Sequence, residues 1–213
     1  MTKIKNKDDW KEGNEENIKI FDDLLSRHGA DFKALDWGSK ESQLLRFKIL
    51  SEIDCLNHAS ILDVGCGLGD LYEWFQNEKI NTHYMGIDIT PSLIEAAKNR
   101  YPNTMFSTIN ILNDDGELNE PYNYVFASGI FAKHQKAGEG YVHAMIQKMY
   151  ALCDKGLAFN SLSSLSKGLD DDDFGLNPDE LLTFCRSLTP WVVLRQDYHP
   201  NDMTIYMYRE KRT

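Results

Sequence analysis

The sequence has few cysteines, and no two of them are spaced as a metal site or a redox motif would require. The four are Cys55, Cys66, Cys153 and Cys185, and none belongs to a Cys-x-x-Cys pair. Zinc binding and dithiol chemistry therefore have no support in the sequence. Isolated cysteines are typical of a reducing compartment, so we expect free thiols in a cytoplasmic protein.

Long hydrophobic runs are also missing. The chain contains no stretch of the roughly 20 apolar residues that a spanning helix needs. Its first ten residues are largely polar or charged, and they lack the apolar segment of a signal peptide. These two absences predict a soluble protein that has no membrane partner.

Basic residues are the minority among the charged ones. Lysine and arginine number 23 against 33 aspartates and glutamates, which gives a net charge of −10. Nucleic acids and anionic membranes reward basic surfaces, so the charge disfavours both as partners. A length of 213 residues with 42% hydrophobic content suits one sizeable domain, or one domain with a short appendage.

The most informative stretch is the segment 61–70, Ile-Leu-Asp-Val-Gly-Cys-Gly-Leu-Gly-Asp. Its apolar start is long enough for one buried strand, and the residues after the glycines follow a helical pattern. A strand, a glycine turn and a helix together present backbone N–H groups to a ligand. A dinucleotide-binding turn would need its third glycine at position 70, where this chain has Asp70.

The pattern D-x-G-x-G-x-G, from Asp63 to Gly69, resembles the first motif of the class I S-adenosylmethionine-dependent methyltransferases. Asp63 suits a ligand that carries an amino group, and Cys66 is interpreted as a small residue that fits the turn. The resemblance implies S-adenosylmethionine as methyl donor, S-adenosylhomocysteine as product, and a direct displacement at the sulfonium methyl group.

Strand and helix patterns alternate from residue 60 onward, which predicts a parallel sheet with helices on both faces. The last two predicted strands are too close for a helical crossover, so the final strand is expected to be antiparallel. The predicted fold is a Rossmann-like three-layer α/β/α sandwich with seven strands and N-terminal helices. The predicted strands are 60–64, 84–88, 105–108, 122–127, 156–160, 191–196 and 203–208. Amphipathic spacing predicts helices over about 14–27, from the candidate N-cap Ser39 to about 53, and over 70–77, 91–100, 140–152 and 178–187, with Pro91 and Pro178 in first turns. We expect residues 1–58 to form a helical cap and residues 59–213 to form the donor-binding domain.

Two turns at the carboxyl ends of strands are predicted to hold the adenosyl group. Asp88 ends the second strand about 20 residues after the glycine turn, a spacing that suits a ribose ligand; the alternative is a helix cap, for which Thr90 is better placed. Ile89 would lie against the adenine. The resemblance implies that Asn110 and the Ile111 N–H bind the adenine, although a polar turn residue is an equal interpretation of Asn110.

The fourth strand is followed by Ser128, Gly129, Ile130 and Phe131, which should border the transferred methyl group. This segment lacks both the N/D-P-P-Y/F motif of adenine N-methyltransferases and the metal-binding aspartate of catechol-type enzymes. No metal is therefore predicted. The acidic run 170–173 is interpreted as a solvated loop, which is the commoner role of like charges.

Further candidates lie outside these turns. Arg46 suits the methionine carboxylate as a bidentate partner, although a surface arginine is an open alternative. The predicted acceptor-binding residues are Trp37, Phe131, Asn160 and Ser161. His134 and His199 are the candidate general bases, because imidazole titrates near neutrality. The predicted donor-binding set is Arg46, Asp63, Gly65, Cys66, Gly67, Gly69, Asp88, Ile89, Asn110, Ile111, Ser128 and Gly129.

The predicted function is methyl transfer to a small-molecule acceptor, with oxygen favoured over nitrogen. A sugar, a polyketide or another secondary metabolite fits the aromatic residues near the strand ends, and a protein acceptor stays open. The rival hypothesis is a non-catalytic cofactor-sensing or interaction domain, which the intact glycines and Asp88 disfavour. A nicotinamide-dependent oxidoreductase is disfavoured by Asp70. We expect a monomer or a homodimer.

Overall fold

A computed structural model describes residues 7–113, 118, 120–132 and 138–212 of the chain. Within those ranges there are six α-helices and eight strands. The helices are α1 Lys7–His28, α2 Lys40–Ser51, α3 Asp70–Asn77, α4 Pro91–Arg100, α5 Glu139–Ala151 and α6 Pro178–Leu188. The strands are β1 Ser60–Val64, β2 His83–Asp88, β3 Met105–Thr108, β4 Tyr122–Ala127, β5 Cys153–Ser163, β6 Gly175–Leu176, β7 Val192–Arg195 and β8 Asp202–Tyr208.

One sheet runs through the molecule in the order β3-β2-β1-β4-β5-β8-β7. All the strand pairs from β3 to β5 are parallel, whereas β8 is antiparallel to both β5 and β7. The predicted Rossmann-like sheet with a reversed last strand is therefore confirmed. The two-residue strand β6, which pairs with the end of β5, was not predicted because nothing so short carries a period.

Local signals begin most of the helices where the sequence predicts them. The Ser39 side chain accepts a hydrogen bond from the Ser42 N–H at 3.0 Å and caps α2, as an N-cap serine should. Pro91 and Pro178 occupy the first turns of α4 and α6, where the missing N–H costs nothing. Thr90 is the N-cap residue of α4 but makes no side-chain capping bond.

Helices cover both faces of the sheet, so the three predicted layers are present. On one face, α5 and α6 bury apolar residues such as Ile146 and Cys185 against the strands. On the other face, α2, α3 and α4 do the same, with Phe75 of α3 fully buried. Helix α1 lies outside these layers and packs Phe21 and Leu25 against α4. This leaves the carboxyl ends of the central strands facing α1.

None of the helices within the described ranges is both long enough and apolar enough to cross a membrane.

Candidate active site

A cavity of about 510 Å³ lies at the carboxyl ends of β1 to β4, in the size range of small-molecule sites. Helix α1 and the segment 35–37 form its opposite wall. Nine of the residues predicted from the sequence line it, namely Trp37, Gly65, Gly67, Asp88, Ile89, Asn110, Ile111, Ser128 and Gly129. The fold thus brings together side chains from four strand ends and from the N-terminal segment.

The glycine turn after β1 is tightly packed on both sides. Gly65 and Gly67 have φ values of 73° and 53°, in the left-handed region that glycine adopts without a penalty. A Cβ atom on Gly65 would lie 2.2 Å from the Ile130 Cγ2 atom, and one on Gly67 would lie 2.7 Å from the Leu35 Cδ2 atom. Any other residue at either position would displace its neighbour.

Asp88 joins the glycine turn to the start of α4. Its carboxylate accepts the Gly67 N–H at 3.0 Å and the Thr90 N–H at 2.9 Å. Burial raises the pKa of the Asp88 carboxyl, and these two backbone donors oppose that effect. Each carboxylate oxygen keeps a further lone pair, so Asp88 can also accept two hydroxyl groups from a ligand in the cavity.

Asn110 has a local role that the sequence left as an alternative. Its Oδ1 atom accepts the Leu112 N–H at 3.0 Å and begins the short helical turn Ile111–Asn113. The residue nevertheless lines the cavity together with Ile111. The turn role of Asn110 is thus observed, and adenine binding stays a prediction that the second lone pair of the amide oxygen allows.

The hypothesis that Arg46 binds the methionine carboxylate requires its side chain to face the cavity. Arg46 is not among the residues that line it. Its guanidinium donates to Asp202 Oδ1 at 2.7 Å and to Ser42 Oγ at 3.0 Å. The same group stacks over the Trp37 ring, with 4.7 Å between Cζ and the ring centroid. The Asp202 side chain is only 1% exposed. This buried carboxylate therefore takes the guanidinium N–H groups that were predicted to bind the carboxylate of S-adenosylmethionine.

Removing Arg46 from the Arg46–Asp202 pair should lower the free energy of unfolding without a comparable loss of affinity for S-adenosylmethionine. In Arg46→Met the carboxylate of Asp202 stays buried without its main partner, which costs about 3–5 kcal/mol in the free energy of unfolding. Urea unfolding measures this cost. The matched control is Arg27→Met, which removes an exposed pair with Asp23 and should cost about 1 kcal/mol or less. Unchanged stability with donor affinity lowered about 100-fold would instead support Arg46 as a carboxylate ligand.

Three of the four predicted acceptor-binding residues are buried in the protein. Phe131 is fully buried and meets Phe159 edge-on at 5.9 Å between ring centroids. Ser161 donates to the Leu162 carbonyl at 3.3 Å. Asn160 is 2% exposed and bonds to the turn after β4. Only Trp37 of this set is on the cavity wall. Strand β5 continues to Ser163 instead of ending at residue 160 as predicted, so Asn160 and Ser161 lie within the strand and not beyond its end.

The two candidate bases have different outcomes. His134 lies outside the described residues. His199 lies in the turn before β8, where its Nδ1 atom is 3.2 Å from Asp202 Oδ2. In the described part of the chain, the cavity wall does not include His199. A general base must reach the proton that it removes, and His199 faces Asp202 instead.

Asp63 lies in β1, and Cys66 and Gly69 belong to the glycine turn, but none of the three lines the described cavity. Asp63 is buried and accepts a hydrogen bond from the Tyr84 hydroxyl at 2.5 Å. Burial raises the pKa of Asp63 to about 7, against the opposing effect of that bond. Burial likewise raises the pKa of the Cys66 thiol. The Asp63 and Cys66 side chains are buried in the protein around the glycine turn and do not line the cavity.

The raised pKa of Asp63 predicts how stability depends on pH. The folded protein holds this proton up to about pH 7, whereas the unfolded chain releases it near pH 4, the ordinary range of an aspartate. The free energy of unfolding therefore falls as the pH rises from about 4 to about 7, with a slope of up to about 1.4 kcal/mol per pH unit. This fall is absent in Asp63→Asn, so the stability of the variant relative to the parent should rise over the same pH range, as measured by urea unfolding. Parallel pH profiles of the two proteins would contradict the assignment.

Several residues in or around the site were not predicted from the sequence to have the roles that the structure shows. Asp70 accepts from Gln43 Nε2 at 2.8 Å and from Arg100 Nη1 at 2.9 Å, which ties α2 and α4 to the glycine turn. Tyr141 and Met145 of α5 line the cavity, as does the exposed Asp172 of the acidic run. Helix α1 contributes Glu16, Asn17, Ile20 and Phe21. Amphipathic spacing predicted α1 itself, but spacing does not reveal which cavity a helix covers.

Groups of acidic, histidine or cysteine side chains that could hold a metal ion are not found among the residues that the structure describes. The four described cysteines are free thiols, and three of them are buried.

Comparison with known proteins agrees with this geometry. Residues 62–156 match the model of a family described as a methyltransferase domain. The chain is 29% identical over 153 residues to the Mycobacterium tuberculosis protein Rv1506c, which is named as a methyltransferase, covering 68% of this chain and 90% of that one. It is 30% identical over 150 residues to a malonyl–acyl-carrier-protein O-methyltransferase of Acetivibrio thermocellus, covering 70% of this chain and 51% of that one.

Solved structures share the fold at low sequence identity. The plantazolicin methyltransferase BamL, in complex with a triazolic desmethylPZN analog and S-adenosylhomocysteine, aligns with a TM-score of 0.65 and 14% identity over 94% of this chain and 97% of that one. The magnesium protoporphyrin IX methyltransferase of Synechocystis PCC 6803 aligns with a TM-score of 0.63 and 12% identity over the same shares. Residues 62–156 of the chain are therefore a methyltransferase domain, and the chain has the fold of the class I S-adenosylmethionine-dependent methyltransferases.

The described cavity suits that donor chemically. An adenosyl group that carries an amino acid needs acceptors for the ribose hydroxyls, polar partners for the adenine, and apolar contact for the rings. Asp88 and Asn110 supply the polar atoms, and Ile89, Ile111 and Leu93 supply apolar surface.

Proposed function

We propose that this enzyme transfers the methyl group to a small-molecule acceptor, with oxygen as the attacking atom. The observation that carries the proposal is the position of the cavity between the strand ends and the N-terminal segment 16–37, which line it from two sides. A cleft of this kind favours a compact acceptor over a surface of nucleic acid, and so does the net charge of −10. The name of the Acetivibrio relative, an O-methyltransferase, supports oxygen.

In this proposal the N-terminal segment 1–58 carries the cap and residues 59–213 are the donor-binding domain. Helix α1 and residues 35–37 cover the cavity, whereas α2 packs in a layer of the sandwich. The contacts of α1 support the division, because Ser92 at the start of α4 donates to Asp22 Oδ1 at 2.5 Å while Phe21 and Leu25 pack on the same helix. The cap covers the donor site and contributes Trp37 to the wall near the end of β4.

The proposed site for the methyl donor uses the cavity-lining residues from four strand ends. Asp88 accepts the ribose hydroxyls, Ile89 and Ile111 lie against the adenine, and Asn110 bonds to its edge. Gly65 and Gly67 leave room for the backbone to approach the donor, and Ser128 and Gly129 border the methyl end. A nicotinamide cofactor is not expected here for two reasons. Its pyrophosphate would have to approach the Asp88 carboxylate, and the backbone N–H groups of the glycine turn already bond within the protein, as Gly67 N–H does to Asp88.

The chain's own contribution to the reaction is alignment and the exclusion of water. The bound donor supplies a methyl group that is already activated by its sulfonium centre. Trp37, Ile130 and Met145 give the cavity an apolar wall, and a site that excludes water strengthens every polar contact inside it. Holding the acceptor in line with the methyl group provides most of the rate. The proposal assigns no general base, because His199 faces Asp202.

Thermal unfolding with added ligands tests the donor site, and an acceptor screen tests the reaction. S-adenosylhomocysteine at 100 times its Kd adds roughly 2.7 kcal/mol, which raises the Tm by about 5–10 °C for a domain of this size. NAD should give no shift. Transfer of a labelled methyl group to hydroxyl-bearing small molecules supports the proposal. Transfer only to proteins or to nucleic acid would contradict the small-molecule acceptor.

We also propose a monomer or a homodimer, as expected from the sequence. The proposed partners are the methyl donor and the small-molecule acceptor, in a cytoplasmic protein.

A further inference from the structure

The Asn160 side chain has an orientation that the backbone fixes. Its Oδ1 atom lies 2.8 Å from the Gly129 nitrogen, whose N–H can only donate. An amide NH2 group cannot accept that bond, so the oxygen must be the atom that faces Gly129. The Nδ2 atom of Asn160 then faces Ser128 Oγ at 3.0 Å. The usual uncertainty between the two ends of an asparagine amide is thereby removed.

This orientation determines what the Ser128 hydroxyl can do. Because Nδ2 donates to it, the Ser128 oxygen is an acceptor in this bond, and the hydroxyl hydrogen must point elsewhere. Ser128 lines the cavity, and within the described residues no acceptor takes that hydrogen. The Ser128 oxygen accepts from Asn160, so the hydroxyl hydrogen is free to donate to a ligand in the cavity.

The turn that carries Ser128 is rigidly placed in the cavity wall. Gly129 adopts a φ of 80°, and a Cβ atom there would lie 3.2 Å from the Trp37 ring. The Ile130 side chain fills the space above Gly65. Asn160 is 2% exposed, so its two bonds are shielded from water and hold the turn against both the cap and the glycine turn.

The order of the strands indicates which part of the donor reaches this turn. Along the sheet the strands follow each other as β3, β2, β1 and β4. A ligand whose adenine lies at the end of β3 and whose ribose lies at the end of β2 points its remaining arm toward β4. Two strand spacings amount to about 10 Å, a distance that the amino-acid portion of the donor can cover.

We infer that Asn160 is a positioning residue, which turns the Ser128 hydroxyl into a hydrogen-bond donor for the carboxylate of the methyl donor's amino-acid portion. The inference rests on the proposed donor site, with the ribose at Asp88. Ser128 makes the contact, and Asn160 acts through Ser128 and through the Gly129 N–H.

Two ligands that differ in the amino-acid portion test this inference without any acceptor. S-adenosylhomocysteine carries the carboxylate, and 5′-methylthioadenosine lacks it. In Ser128→Ala the loss of a hydrogen bond to a charged group should weaken S-adenosylhomocysteine binding on the order of ten-fold, with methylthioadenosine binding unchanged. Isothermal titration calorimetry measures both values of Kd.

Asn160→Asp tests the positioning role. A carboxylate there still accepts the Gly129 N–H, but it also takes the Ser128 hydrogen, so the hydroxyl no longer serves the ligand. We expect the same selective loss of S-adenosylhomocysteine affinity, and a smaller effect of Asn160→Asp when Ser128 is already alanine. The matched control is Thr189→Ala, which removes a buried hydroxyl that donates to the Tyr208 carbonyl away from the described cavity wall, and should leave both ligands unaffected.

The possible outcomes separate this inference from the proposed function. Unchanged affinities in Ser128→Ala and Asn160→Asp would overturn the inference while the proposed donor site stands. Equal losses for both ligands would also overturn it, because they would indicate a turn that is merely disordered by the change. Additive effects in the double variant would remove the positioning role of Asn160. If the parent protein binds neither ligand, the proposed donor site itself fails.

Discussion

Gly67→Val should abolish binding of S-adenosylmethionine and S-adenosylhomocysteine. A valine at a φ of 53° is strained, because β-branched residues strongly disfavour the left-handed region. Its Cβ would also lie 2.7 Å from Leu35 Cδ2, which pushes the segment 35–37 away or displaces the turn itself. The N–H of residue 67 would then lose its bond to Asp88. Calorimetry should detect no binding at ligand concentrations about 100 times the parent Kd.

Gly140→Val is the matched control for this change. A Cβ atom on Gly140 has no neighbouring atom within 4 Å, and the residue lies in the first turn of α5 without a left-handed φ. The control should bind both ligands with the parent affinity. Far-ultraviolet circular dichroism of Gly67→Val should keep the helical signal of the sandwich. A folded Gly67→Val protein with parent affinity would show that the donor does not lie against this turn.

Asp88→Ala should weaken donor binding about 100-fold or more, and this is the second large effect that we expect. Two hydroxyl groups bonded to one carboxylate each contribute about 1.5–3 kcal/mol, and each 1.4 kcal/mol is ten-fold in Kd. The variant also leaves the N–H groups of Gly67 and Thr90 without their acceptor. The Tm without ligand should therefore fall as well.

Adenosine and 2′,3′-dideoxyadenosine separate the two effects of Asp88→Ala. The parent protein should prefer adenosine, and the variant should bind both weakly and with little preference, because the preference arises from the ribose hydroxyls. Glu95→Gln, an exposed change on α4, is the control that keeps the preference. An undiminished preference for adenosine in Asp88→Ala would mean that another group accepts the ribose.

The strands and most helices could be predicted because the signals for them are local. The apolar run before the glycine turn predicts β1 with its observed bounds, and Pro91 and Pro178 begin α4 and α6 as predicted. The predictions fail where a local signal is absent. Helix α1 begins at Lys7 instead of near Asn14, in a segment of mostly polar and charged residues that precedes the apolar spacing of Ile18 and Phe21.

The site was predictable to the extent that it follows from strand ends. Asp88, Asn110 and Ser128 each come directly after a strand, and parallel strands bring their carboxyl ends to one edge. Arg46 illustrates what spacing leaves out, since its partner Asp202 is 156 residues away. The sequence does not reveal which acid an arginine will meet once the chain is folded. The role inferred for Asn160 could not be predicted for the same reason, because its partners Ser128 and Gly129 are distant in the sequence and meet it only in the fold.

A crystal structure of the chain with S-adenosylhomocysteine is the most direct test of the account. We expect the ribose hydroxyls within hydrogen-bond distance of the Asp88 carboxylate, the adenine between Ile89 and Ile111, and the amino-acid carboxylate beside Ser128. Ligand density outside the cavity between the strand ends and α1, or a ribose with no contact to Asp88, would contradict it.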